Sequence, residues 1–222
     1  MKYYFLAAAI LLITCFTIAQ DSSQRLLYAD FEALSKDKTP MSKREGHISF
    51  NVESQNSGNK PKIVPKMLGA QDKLTQRIGF EFEISKPNDW GAAFMKVNGF
   101  KDRGRASDEA RTLLVKAEDL SAYNYLTLEV GAAGATQMRA DLISEGNGID
   151  AGGATQRLDF TVDSQLKTYR LKISDFKQPT GDWVKRKYTV DQVIKKLTAV
   201  QINVTQTPSK GFMVVDNIAF EK

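Results

Sequence analysis

Polar side chains that could bind a ligand alternate with apolar ones along several segments of the chain. Arg139 and Asp141 are two residues apart, as are Gln201 and Asn203, so each pair lies on one side of an extended strand. Guanidinium, amide and carboxylate groups offer planar hydrogen-bond donors and acceptors, which suit a ligand rich in hydroxyl groups. The same alternation also fits the solvated side of a half-exposed strand, or charge pairs across a sheet. The full candidate set is Glu81, Glu129, Arg139, Asp141, Gln201 and Asn203.

Aromatic side chains that could stack on the flat apolar face of a ligand lie at two kinds of position. Trp183 follows residues 179–182, a stretch with Pro, Gly and Asp that is typical of a surface loop. Tyr125 begins a strand-like segment. We expect both rings at the ligand site, although Trp183 would fit equally well as a lid packed over one end of the fold.

Few residues could act as a nucleophile or a general base. The chain of 222 residues has one cysteine, Cys15, and one histidine, His47. It contains no Gly-x-Ser-x-Gly elbow, no phosphate-binding loop and no His-Glu-x-x-His pair. Glycoside hydrolysis needs only two carboxylates, but no spacing among the 26 acidic residues singles out a pair. The sequence therefore predicts a protein that is not an enzyme.

The N-terminus has the pattern of a secretory signal peptide. Lys2 supplies the positive charge, residues 3–16 are apolar, and small residues precede a cleavage site after Ala19. Residues 1–19 would then be removed, and 20–222 would form one secreted or periplasmic domain. An uncleaved anchor and lipidation at Cys15 are the alternatives. No later apolar run approaches the roughly 20 residues that a membrane span needs.

Composition favours one ordinary globular domain. The chain is 42% hydrophobic and 26% charged, with a formal net charge of +5. Apart from residues 185–187 it has no dense basic cluster, so we expect no nucleic-acid partner.

Short apolar, β-branched and aromatic runs separated by turn residues predict an all-β chain. One helical signal is present, with Thr189 as the N-cap and apolar residues at helical spacing up to Leu197. Residues 54–74 and 99–110 are predicted to be loops. The predicted strands are 26–31, 47–52, 77–84, 92–97, 112–116, 125–131, 138–144, 157–162, 167–173, 200–205 and 212–220.

Four segments together resemble the galactose-binding-like jelly roll. They are residues 28–32, 119–130, 167–176 and 211–220, and they occur in this order over nearly all of the mature chain. The resemblance is to carbohydrate-binding modules of the family-eleven type and to the complex I intermediate-associated protein. It implies a two-sheet antiparallel β-sandwich with one short helix.

The resemblance also implies a function and a metal. A carbohydrate-binding module would hold a poly- or oligosaccharide on the polar sheet face with help from loop aromatics. The alternative is a periplasmic or surface module that binds a protein partner. Modules of this type often carry a structural calcium ion between the first and last strands, and Asp30, Glu32 and Asp216 stand at the matching places.

Overall fold

The computed structural model describes residues 24–31, 48–54, 62–69, 76–85, 91–98, 117–144, 154–181, 184, 186–205 and 208–222. The predicted signal peptide (1–19) and the predicted strand at 112–116 lie outside these ranges. Within them, no helix is long and apolar enough to cross a membrane. The strands are β1 (Arg25–Ala29), β2 (Ile48–Ser54), β3 (Lys62–Gly69), β4 (Gln76–Ile84), β5 (Gly91–Asn98), β6 (Tyr125–Ala133), β7 (Gln137–Ile143), β8 (Thr155–Thr161), β9 (Lys167–Lys172), β10 (Ala199–Val204) and β11 (Ser209–Glu221).

The strands form two antiparallel sheets. Sheet 1 has the order β3-β4-β11-β6-β9, and sheet 2 has the order β2-β5-β10-β7-β8. The long strand β11 pairs with β4 along its first half and with β1 along its second half. The antiparallel sandwich predicted from the sequence is therefore confirmed.

The core lies between the two sheets, because alternate residues of each strand face inward. Phe80, Leu128 and Val215 project from sheet 1, and Met95 and Ile202 project from sheet 2. All five side chains are fully buried. Burial of one such side chain contributes roughly 1.5–3 kcal/mol to folding. Burial of the apolar side of each strand therefore decides which of its residues point outward.

Strand β3 corrects the prediction that residues 54–74 form a loop. Lys62–Gly69 pairs with β4 along its full length and forms the edge of sheet 1. Pro65 argues against a strand in the sequence, since proline cannot donate a ladder hydrogen bond. An edge strand has one unpaired side, so proline is tolerated there.

The helix α1 (Val190–Ile194) begins where the sequence predicts. The side chain of Thr189 accepts from the backbone N–H of Gln192, whose side chain in turn accepts from the N–H of Thr189. This capping box satisfies two backbone donors that the first helical turn leaves open. The helix is shorter than the apolar spacing suggests, although Leu197 beyond it is still buried.

Candidate functional site

The register of sheet 2 aligns polar residues across its outer surface. Lys96, Gln201, Asp141 and Arg157 lie directly opposite one another on β5, β10, β7 and β8. Lys177 pairs with Arg157 at the edge of β8 through two backbone hydrogen bonds of 2.8 and 3.0 Å. Directly opposed residues point to the same side of a sheet, so these five side chains form one line.

A second line runs beside the first. Phe94, Asn203, Arg139 and Asp159 are opposite one another on the same four strands. We call the two lines together the polar face. It brings together four of the predicted ligand-binding residues, Arg139, Asp141, Gln201 and Asn203.

Hydrogen bonds hold the centre of the polar face in one arrangement. The Gln201 side-chain nitrogen donates to Asn203 Oδ1 at 2.7 Å and to Asp141 Oδ2 at 3.4 Å. Asn203 in turn donates to the backbone oxygen of Arg139 at 3.2 Å. Asp141 is 2% exposed and Asn203 is 3% exposed, although both point away from the core. Buried polar groups are costly unless they are hydrogen-bonded, so these contacts fix their orientation.

Two ion pairs cross the polar face between β7 and β8. Arg139 Nε lies 2.9 Å from Asp159 Oδ1, and Arg157 Nε lies 3.8 Å from Asp141 Oδ1. The Arg139 side chain is 19% exposed, whereas that of Asp159 is 65% exposed. The guanidinium therefore lies against the face, and its carboxylate partner stands at the rim.

Two glutamine side chains, one within the segment 177–188 and one on β8, bond to the described backbone of this segment. Gln178 donates to the backbone oxygen of Arg186 at 2.7 Å and accepts from the N–H of Tyr188 at 2.9 Å. Gln156 on β8 donates to the backbone oxygen of Tyr188 at 2.9 Å. Trp183 belongs to this segment by sequence, but it lies outside the described residues.

The remaining three predicted ligand residues lie on the outer surface of sheet 1. Glu81 is 3.2 Å from Lys66 Nζ, which makes it part of a cross-strand ion pair. The guanidinium carbon of Arg170 lies 3.4 Å from the centre of the Tyr125 ring. That guanidinium covers one face of the ring, so a sugar cannot stack there. Glu129 is on the same surface, so the predicted set is divided between opposite sides of the sandwich.

Asp216 on sheet 1 is a buried carboxylate that contacts a guanidinium and a backbone N–H. Its Oδ2 lies 3.4 Å from Arg77 Nε, and its Oδ1 accepts from the backbone N–H of Asn217 at 2.9 Å. Burial raises the pKa of Asp216 above its usual value, and the charge of Glu129 adds to this, while the Asn217 N–H and Arg77 oppose it. Asn217 has a φ of 36° in the bulge of β11 and donates to Glu129 Oε2 at 3.2 Å.

The calcium prediction rests on Asp30, Glu32 and Asp216. Asp30 directly follows β1, whose last residue, Ala29, pairs with Ile218 beside the bulge. Glu32 lies outside the described residues. In the ranges that the structure covers there is no cluster of three or more acidic, histidine or cysteine side chains that could hold a metal. The calcium site stays a prediction.

Lys96 and Lys177 also belong to the polar face, although no sequence pattern selects them as ligand residues. Lys177 follows the 3-10 turn at Ile173–Asp175 and lies beyond the predicted strand 167–173. Lys96 alternates with buried residues of β5, but only the pairing of β5 with β10 places it beside Gln201. Strand order is the information that a single sequence lacks.

No protein-family model and no curated protein sequence matches the chain. Solved structures do match, and they define the fold as a jelly roll of the carbohydrate-binding-module type. One is a family 11 carbohydrate-binding module from Clostridium thermocellum in complex with a β-1,3-1,4-mixed-linked tetrasaccharide. It has a TM-score of 0.57 and 14% identity, over 89% of this chain and 95% of that chain. Another is the family 11 module of a cellulosomal cellulase of the same organism, with a TM-score of 0.55 and 14% identity over 89% of this chain and 94% of that chain.

Proposed function

We propose that this protein is a secreted or periplasmic, non-catalytic carbohydrate-binding protein that holds a poly- or oligosaccharide on the polar face of sheet 2. The observation that carries the proposal is the buried hydrogen-bonded centre of that face. Asp141 and Asn203 point outward from the sheet, yet Gln201 holds both in fixed positions. A fixed array of polar groups at the middle of an outer sheet surface suits a ligand that supplies hydroxyl groups.

The chemistry of the face supports this ligand class. Sugar hydroxyls both donate and accept, so their recognition needs donors and acceptors at defined positions. The two bonds of Gln201 use its nitrogen, which leaves its side-chain oxygen to accept from a ligand. Arg139 uses one of its five N–H donors in the bond to Asp159. Because these groups are already oriented, little conformational entropy is lost on binding.

The likeness in fold adds support at a coarser level. The family 11 module was solved with a tetrasaccharide, which indicates that this architecture can present a sugar site. Fold alone does not define function, so the argument depends on the polar face itself. A non-catalytic role agrees with the absence of a catalytic motif from the sequence.

The alternative, a module that binds a protein partner, has less support. Protein-binding surfaces of this kind expose contiguous apolar area. Among the described residues, Val64 is the one large hydrophobic side chain that is exposed. The outer surface around it carries ion pairs, such as Lys66 with Glu81 and Lys210 with Glu83.

A glycan-array and affinity-gel screen of the purified protein tests the proposal. Asp141→Asn keeps the shape of the side chain and removes its negative charge from the polar face. Glu81→Gln makes the same change on the outer surface of sheet 1 and serves as the matched control. We expect retention by at least one polysaccharide, weakened by Asp141→Asn and by Trp183→Ala but not by Glu81→Gln. If the protein is folded and no glycan retains it, with or without calcium, the proposal is contradicted.

A further inference from the structure

Arg139 is held on the polar face through both its backbone and its side chain. Its backbone oxygen accepts from the Asn203 amide at 3.2 Å, and its Nε donates to Asp159 Oδ1 at 2.9 Å. Asp159 lies directly opposite Arg139 on β8, the edge strand of sheet 2. A bond of this length from a guanidinium to a carboxylate is charge-assisted and stronger than one between neutral groups. The guanidinium therefore has one defined position on the face.

The pair of Arg139 with Asp159 matters more for position than for stability. The Asp159 side chain is 65% exposed, and among the described residues Arg139 is the one that its carboxylate contacts. An ion pair with an exposed partner contributes little to folding, because water and salt screen the charges. A long side chain that nothing holds samples many rotamers. The main effect of Asp159 is therefore to decide where the Arg139 guanidinium lies.

The bond to Asp159 leaves most of the Arg139 donors open to a ligand. Nε carries one of the five N–H donors of a guanidinium, and the two terminal nitrogens carry the others. The Nε bond is the one hydrogen bond that the Arg139 side chain makes to the described residues. The terminal groups are coplanar and match two neighbouring acceptor oxygens. Two hydroxyl oxygens on adjacent carbons of a sugar ring are such acceptors, because each oxygen has lone pairs.

We propose that Asp159 is a positioning residue for carbohydrate binding, which holds Arg139 by Nε so that the terminal nitrogens donate to two adjacent hydroxyl oxygens of a bound sugar. This inference rests on the proposed function. It assigns part of the affinity to a residue that does not itself touch the ligand. Without Asp159 the ligand must immobilise the Arg139 side chain, which lowers the affinity by about two- to tenfold.

A double-mutant cycle with the whole protein tests the inference. Asp159→Ala removes the bond to Arg139, whereas Asp159→Asn removes the charge and keeps an oxygen that accepts from Nε. Arg139→Gln and the double variant with Asp159→Ala complete the cycle. Glu81→Ala is the matched control, since it removes an exposed carboxylate that is paired with Lys66 on the outer surface of sheet 1.

Three measurements are made on each variant. Affinity gels of mixed-linked β-glucan, xylan, agarose and polygalacturonate identify the polymer that the wild type binds, and calorimetry with that polymer gives the affinities. Thermal unfolding checks that each variant is folded. NMR of the arginine Nε–H groups reports on the guanidinium itself, because a hydrogen-bonded N–H exchanges slowly with water.

We expect Asp159→Ala to weaken binding by about two- to tenfold, and Asp159→Asn to keep most of the affinity. Arg139→Gln should weaken binding by about tenfold, which corresponds to one charge-assisted hydrogen bond, and Asp159→Ala should then have no further effect. The control Glu81→Ala should leave the affinity unchanged. The Arg139 Nε–H should be protected from exchange in the wild type and in Asp159→Asn, but not in Asp159→Ala.

Other results would overturn the inference in distinguishable ways. Stronger binding by Asp159→Ala would mean that Asp159 competes with the ligand for Arg139. Equal losses in Asp159→Ala and Asp159→Asn would mean that the charge acts and the bond does not. Equal losses from Asp159→Ala with and without Arg139→Gln would mean that Asp159 acts independently of Arg139.

The proposed function and this inference can fail separately. If a polymer binds and Asp159→Ala or Arg139→Gln leaves its affinity unchanged, the protein binds carbohydrate but Asp159 does not position Arg139 for it. If the folded wild type retains none of the polymers, both proposals fail.

Discussion

Asp141 shows how a single residue can be buried and still belong to an outer surface. Its side chain points away from the core, but Gln201 and Arg157 flank it on the neighbouring strands. The carboxylate is held by the Gln201 amide and lies 3.8 Å from Arg157 Nε. Asp141 is thus an outward-facing side chain that is 2% exposed and has polar contacts on both neighbouring strands.

Neighbouring residues on β10 should respond to truncation in opposite ways. Ile202 is fully buried in the core, whereas Gln201 faces outward. We expect Ile202→Ala to lower the free energy of unfolding by about 2–5 kcal/mol, because it leaves a cavity. Gln201→Ala should cost much less stability but weaken glycan binding. Urea unfolding and affinity gels measure the two effects, and similar losses of stability in both variants would contradict the assigned faces.

Asp216 gives a prediction for pH dependence. Its pKa is raised from 3.8 in the folded state, so the folded protein holds this proton more tightly than the unfolded chain does. The stability associated with the protonated group is present below pH 3.8 and is lost as the pH rises through the folded pKa. Asp216→Asn removes this titration. Across the range from acid to neutral pH, the variant should gain stability relative to the wild type.

Urea unfolding of both proteins at several pH values checks this expectation. Glu81→Gln is the control, since Glu81 is more exposed on the same sheet. Parallel stability curves for the wild type and Asp216→Asn would show that burial does not disfavour the charge of Asp216.

At the scale of elements, the segment at 177–188 forms a wall beside β8. Two backbone bonds between Lys177 and Arg157 and the bond from Gln156 to the Tyr188 oxygen attach it to β8. The side-chain bonds of Gln178 to Arg186 and Tyr188 hold its two ends together. Trp183 lies within this segment in the sequence, but outside the described residues.

Gln178→Ala should separate binding from stability. The change removes two hydrogen bonds to the backbone, and each contributes about 0.5–1.5 kcal/mol to folding. Gln192→Ala is a control, because it breaks the bond from the Thr189 N–H to a glutamine side chain in the capping box of α1. We expect a similar small loss of thermal stability in both variants, but weaker glycan binding only in Gln178→Ala. Equal affinities would mean that the wall does not position the ligand.

At the scale of the molecule, the sequence predicts the sandwich well, because alternation identifies the buried side of each strand. Val200, Ile202 and Val204 face the core as their spacing requires. Alternation cannot tell which sheet a strand joins, so the sequence alone groups Glu81 and Glu129 with residues that lie on the opposite side of the sandwich. Long-range pairing decides this, and it follows from the packing of all strands together.

The central claim is that sheet 2 carries the carbohydrate site, and amide NMR of the labelled protein tests it most directly. The titrant is an oligosaccharide prepared from the polymer that the affinity gels retain. We predict shifts that cluster on β5, β10, β7 and β8, around Gln201, Asn203 and Arg139, with β4 and β11 almost unchanged. Shifts confined to the outer surface of sheet 1, or none at saturating oligosaccharide, would contradict the claim.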